Sequence, residues 1–228
     1  MARVILVYGQ PASGKTFALK TLDPKATVII DGDRKGELPW RGWADDYSTE
    51  LRNFFSANSL DKTIKVMETV ATTDEFKHIS NIVVDGLNNL MSIEETAFYF
   101  GKRPYKNKLE LFDAVCNKTI WLLETAKSYR GNLNIIFNAH VKTADPYAAG
   151  EVDRLFTPGK ALEAKKKVEG CFNYVFYAKV DAEGRHFFET APRNSTARSP
   201  EGCFDFQIPN DMQFVIDTIN AYSRRPKK

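Results

Sequence analysis

Cysteine is scarce and scattered. Cys116, Cys171 and Cys203 are the three in the chain, far apart and without a C-x-x-C pair, so neither a disulfide framework nor a zinc site is expected. Charge of one sign is lacking too. Lys and Arg number 32 against 29 Asp and Glu, a net +3, and any nucleic-acid partner has to be argued from local clusters. Long hydrophobic runs are missing. The apolar stretch over residues 4–8 is too short for a signal peptide and no run would span a bilayer, so no membrane partner and a cytoplasmic location are expected. No internal repeat or linker divides the chain, and residues 1–228 read as one domain. With 43% hydrophobic residues there is material for a sizeable core.

The most informative stretch is Gly9, Gln10, Pro11, Ala12, Ser13, Gly14, Lys15 and Thr16. It reads G-x-x-x-x-G-K-T, the Walker A phosphate loop. Glycines let such a loop curl so that successive N–H groups turn inward around phosphate oxygens. A helix following the loop points its positive end at the same phosphates. Lys15 is placed to reach the β- and γ-phosphates of ATP, and the Thr16 hydroxyl to ligate Mg²⁺. The apolar residues 4–8 before the loop read as a buried parallel strand, and residues 16–20 after it as the helix.

Further strands are predicted over 26–31, 81–85 and 133–138, each an apolar run ending in a polar residue. Helices are predicted over 60–72, capped by Ser59, and over 87–100 and 109–129. Residues 34–75 form an irregular and partly helical insertion; within it Trp40 and Trp43 read as a local mini-core more readily than as a base-stacking surface. Residues 141–159 read as a loop and 160–168 as a helix. Residues 172–180 and 185–190 form a β-hairpin around the turn 181–184. A final helix spans 209–223, with Asn210 as its cap, and 224–228 is a basic tail. The fold class is α/β: a mainly parallel sheet flanked by helices, with a C-terminal β-hairpin extension.

In such a sheet ligands sit at the carboxyl ends of the strands. Asp31, Asp33, Asp85, Asn138 and His140 all lie at or just past those ends. Asp85 closes an apolar strand, the Walker B pattern, and is expected to hold Mg²⁺ opposite Thr16. Asp33, with Asp31 as second choice, is the candidate base for an attacking water. His140 is the candidate γ-phosphate sensor. His78 and His186 have no partners in sequence and receive no role.

On these residues the chain resembles the RecA-like P-loop ATPases, and more closely the small RecA-like proteins of bacteriophages linked to single-strand annealing and recombination. The likeness rests on residues 9–16, Ile29-Ile30-Asp31-Gly32-Asp33, Ile82-Val83-Val84-Asp85 and Phe137-Asn138-Ala139-His140. The resemblance implies ATP hydrolysis with Asp33 as base and His140 or Asn138 as sensor. It also implies two loops for single-stranded DNA. The first, residues 101–108, offers Lys102, Arg103, Tyr105, Lys106 and Lys108. The second, residues 141–159 and the lysine after them, offers Lys142, Tyr147, Arg154, Phe156 and Lys160. A homo-oligomer is implied, with Arg193 or Arg198 reaching a neighbouring subunit, and a phage annealing or single-strand-binding protein as partner. Two other classes compete: a P-loop small-molecule kinase, and a nucleotide-dependent partner-binding module such as a helicase loader.

Overall fold

The computed structural model describes residues 1–101, 105–157, 162 and 168–224. Its centre is a nine-stranded sheet. The strands are β1 (Arg3–Gly9), β2 (Thr27–Asp31), β3 (Phe54–Ser56), β4 (Asn81–Asp85), β5 (Asn134–Lys142), β6 (Arg154–Leu155), β7 (Tyr174–Val180), β8 (His186–Glu189) and β9 (Gln207–Pro209). They lie in the order β3-β2-β4-β5-β1-β7-β8-β9, with β6 paired to β5. The pairs from β3 through β7 along this order are parallel; β6, β8 and β9 run antiparallel to their neighbours. This is the mixed α/β sheet that the pattern of apolar runs predicts.

The central strands read as continuous apolar runs because both of their faces are covered. Alternate side chains divide between two cores. Val4, Leu6 and Tyr8 of β1, with Val84 of β4 and Phe137 of β5, face one core. Helices α2 (Leu60–Thr72), α3 (Leu87–Tyr99) and α4 (Lys108–Ser128) bury Met67, Leu90 and Leu122 there. Ile5 and Val7 of β1, with Val83 and Ile136, face the other core, against Leu19, Trp40, Tyr47 and helix α5 (Met212–Ser223). Among the described residues no helix is long and apolar enough to cross a membrane.

Several boundaries differ from the sequence expectation, each for a local reason. The helix expected over 16–20 is only a 3-10 turn, Phe17–Thr21, because Leu22 is already extended and Asp23-Pro24 redirects the chain. The insertion contains a short helix, α1 (Trp43–Asp46), and the edge strand β3. Its tryptophans serve packing: Trp40 is buried edge-on to Tyr47, and Trp43 leans on Phe54. Strand β5 runs through His140 to Lys142, and the expected loop returns to it as β6. The hairpin is part of the main sheet, since β7 lies directly beside β1. Asp211, not Asn210, caps the last helix, its side chain accepting from the Phe214 N–H. Most of the helix expected over 160–168, with Lys160, lies outside the described residues, as do Lys102, Arg103 and residues 225–228.

Candidate functional site

Strand β1 ends at Gly9, where the chain must pass close to β7. A Cβ on Gly9 would stand 2.4 Å from the Ala178 carbonyl oxygen, so this position admits only glycine. The loop then turns through Ala12 and Gly14 at φ +62° and +87°. Ser13 is buried inside it, and the Ala18 N–H returns to the Gly14 carbonyl. Lys15 folds back over the loop it belongs to. Its Nζ donates to the carbonyls of Gly9 at 3.0 Å and Gln10 at 2.7 Å. Burial pulls its pKa down to about 8, against the upward pull of Asp85.

Opposite the loop stands Asp85 at the end of β4. Its side chain is buried and receives two neutral donors: Thr16 Oγ1 at 2.8 Å and Asn138 Nδ2 at 2.9 Å. Burial raises the Asp85 pKa, and the bonds from Asn138 and Thr16 oppose that rise. A buried carboxylate without a bonded cation is a poor resting arrangement. Asn138 Oδ1 is likewise buried without a partner. Thr16 and Asp85 therefore fit Mg²⁺ well, as a hydroxyl and a carboxylate already turned to one point. Among the described residues no three His, Cys, Asp or Glu side chains gather as a protein-only metal cluster, so a cation here would share its shell with phosphates and water.

Asp33 and Asp31 separate in role. Asp31 is buried, and its Oδ2 accepts the Gly36 N–H, closing the turn after β2. Asp33 lines the cavity and pairs with Lys35 at 2.7 Å. The backbone N–H groups of Gly32 and Asp33 both donate to the Asp85 carbonyl, tying the ends of β2 and β4 together. Gly86 lies beside this junction at φ +104°, where a Cβ would stand 2.7 Å from the Asp33 nitrogen, so the position requires glycine. His140 lies in register with Gly9 and lines the same cavity. Burial lowers its pKa and Lys15 lowers it further, so the imidazole is neutral near pH 7. Its Nδ1 is buried without a partner.

Lys15, Thr16, Asp33, Asp85, Asn138 and His140 thus share one cavity of about 810 Å³ with the rest of the loop from Pro11 onward. Gly9 and Gln10 lie outside its lining, and the Gln10 amide reaches Thr143 at 2.8 Å. Sequence reasoning missed Asn88, whose amide accepts the His140 N–H and donates to the Phe156 carbonyl. Only its place just after the Walker B glycine hinted at this. Lys35 and His186, also on the cavity wall, carried no sequence signal.

In the first basic loop, Tyr105 is half-buried and packs against Phe98 with ring centroids 6.4 Å apart. Lys108 sits over the Tyr99 ring. Tyr147, by contrast, is 95% exposed, and Phe156 is partly exposed. Arg198 donates to the carbonyls of Glu169 and Phe172, and Arg193 lies over the Phe206 ring.

No curated protein matches this sequence. A family model described as an AAA domain matches residues 1–199, a span that contains the phosphate loop, Asp33, Asp85, Asn138 and His140. The match agrees with the parallel sheet, the nucleotide loop on β1 and the acidic strand end opposite it, and the chain belongs to the AAA domain family, with the fold of a P-loop nucleotide-binding ATPase.

Proposed function

We propose that this protein is an ATP hydrolase of the RecA type, working on single-stranded DNA in phage-type recombination, annealing or repair. The observation that carries the hydrolase reading is the bonded series Thr16–Asp85–Asn138 facing Lys15, with Asp33 across the cavity. Lys15 releases two carbonyls and turns its ammonium to the β- and γ-phosphates. Thr16 and Asp85 would hold Mg²⁺, which when bound neutralises charge on the phosphates. Asp33, paired with Lys35, orients water and takes its proton. His140, neutral and donor-competent, reads the terminal phosphate from β5. Its register beside Gly9 ties nucleotide state to the segment that follows.

The DNA reading is supported by that segment, which carries Lys142, exposed Tyr147 and Arg154. Cations among exposed aromatics suit a flexible strand with open bases. An oligomer would give Arg193 or Arg198 a neighbouring site to reach.

The test is ATP turnover with and without single-stranded DNA. Turnover should rise with DNA, and Lys15→Ala should lower it by about a hundredfold or more. Replacing Lys102, Arg103 and Lys106 by Ala should weaken strand binding and flatten its salt dependence. An unchanged rate in Lys15→Ala would sink the hydrolase reading. Phosphate transfer to a metabolite would replace it with a kinase, and binding without turnover with a loader-type module.

A further inference from the structure

The phosphate-binding half of the cavity is accounted for, but its opposite end is not. The strand order decides which end is which. On one side of β1 lie β5 and β4, carrying His140, Asn138 and Asp85. On the other side lie β7 and then β8. Gly9 is in register with Ala178 of β7. Two residues further on, Val180 pairs with His186, the first residue of β8. His186 therefore stands on the same rim as the phosphate loop, across it from the residues that face a terminal phosphate.

His186 lines the cavity together with Phe17, Leu38 and Pro39. Phe17 follows Thr16 directly, so its ring lies downstream of the phosphate-binding N–H groups. The 3-10 turn buries Ala18 and Leu19 but leaves Phe17 45% exposed. Lys20 Nζ lies 5.6 Å from the centre of that ring. An exposed aromatic ring and an imidazole thus both belong to the lining of this cavity.

A third group converges here. A Cβ built on Gly14 would meet His186 Nδ1 at 2.9 Å and Asn210 Oδ1 and Nδ2 at 3.0 and 3.1 Å. Both Asn210 amide atoms are buried without any hydrogen-bond partner. A buried amide left unpaired on both sides is unfavourable. A short rotation of the imidazole would satisfy its oxygen, since both groups reach the same point. Asn210 and His186 thus face the same point beside Gly14.

We infer that Phe17 and His186 clamp the base of the bound nucleotide, with Asn210 positioning the imidazole from behind Gly14. This rests on the nucleotide reading above. It adds which residues take the sugar–base half, and it explains an unpaired amide that the hydrolase chemistry leaves unused. The base inserts against the Phe17 ring, and His186 covers its other face or edge. Stacking of this kind discriminates a nucleotide from bare polyphosphate, whereas Lys15 and the loop N–H groups do not.

The experiment measures affinity of the full chain for ATP and for inorganic tripolyphosphate, both with Mg²⁺. His186→Ala and Phe17→Ala should each weaken ATP about tenfold while tripolyphosphate changes by less than about twofold. His186→Phe should restore most of the ATP affinity by keeping a ring. Asn210→Ala should weaken ATP by a smaller factor and leave tripolyphosphate unaffected. Equal losses for both probes, or no loss for ATP, would overturn the clamp while leaving the phosphate site standing. A wild-type chain that binds neither probe would overturn the nucleotide reading as well, and Lys15→Ala gives the reference for that loss.

Discussion

Lys15 sits between two demands. It must be charged to meet phosphate, yet in the resting loop it is half-buried, and desolvation lowers its pKa from 10.5 to about 8. In the unfolded chain the lysine holds its proton to higher pH. Between about pH 8 and 10.5 the unfolded state therefore binds more protons, and this residue makes stability rise with pH over that window. Below pH 8 both states are protonated and the burial penalty is present in full. Bound phosphates reverse the effect by favouring the ammonium. Nucleotide binding should then take up a proton above pH 8, and affinity should fall by up to about tenfold per pH unit there. Titration calorimetry in buffers of different ionisation enthalpy reads this uptake directly. A proton count of zero at pH 8.5, or the same count in Lys15→Ala, would contradict it.

Elements show where the sequence was legible. Strands β1, β2 and β4 were readable because each carries a continuous apolar run, buried on both faces, between polar or glycine ends. The same logic placed Asp85 and the loop, where motif and context agree. It failed where a short segment is held by tertiary contacts. Strand β3 borrows its pairing from β2, and β9 from β8; neither has a period long enough to see. The turn at Phe17–Thr21 failed for another reason: its residues suit a helix, but Asp23-Pro24 stops one. Asn210 and Asp211 are both good capping residues, and only the coordinates distinguish them. That distinction is measurable. Asp211→Ala should cost about 1 kcal/mol in denaturant unfolding, the usual loss of a cap. Asn210→Ala should be neutral or stabilising without nucleotide, because it removes an unpaired buried amide. The reverse order would return the cap to Asn210. Asp85 makes a related case at the end of β4. Asp85→Asn removes a buried charge whose partners are neutral, so the melting temperature should hold or rise while hydrolysis is lost. A fall of several degrees would show that the carboxylate is structurally required.

At the scale of the molecule, one half-buried carboxylate joins the nucleotide end of the sheet to the segment after β5. Asp153 Oδ1 accepts the Ala144 N–H at 2.9 Å, and its Oδ2 accepts the Tyr177 hydroxyl at 2.8 Å. Its carbonyl accepts from Tyr8, the residue just before Gly9, and from the Thr196 N–H. Tyr8 and Tyr177 stack at 4.9 Å with their planes 2° apart. Gln10 reaches Thr143 from the phosphate loop itself, and Asn88 bridges His140 to Phe156. Bonds from Tyr8, Tyr177, Gln10 and Asn88 thus span from the nucleotide end of the sheet to residues 143–156, which carry the exposed Tyr147. These bonds form a contiguous route by which a ligand that shifts Gly9, Gln10 or His140 would act on that segment. Chymotrypsin cleavage after Tyr147 should therefore slow when a non-hydrolysable ATP analogue binds the wild-type chain. In Asp153→Ala the basal cleavage should rise about tenfold as the loop opens, and the analogue should no longer slow it. Analogue affinity should stay within about threefold, since no phosphate-facing group is removed. Cleavage at sites in α4 serves as the control for global unfolding. If the analogue still protects Tyr147 to the same degree in Asp153→Ala, the coupling runs through Asn88 and Gln10 instead, and the double replacement Asn88→Ala with Gln10→Ala should abolish it.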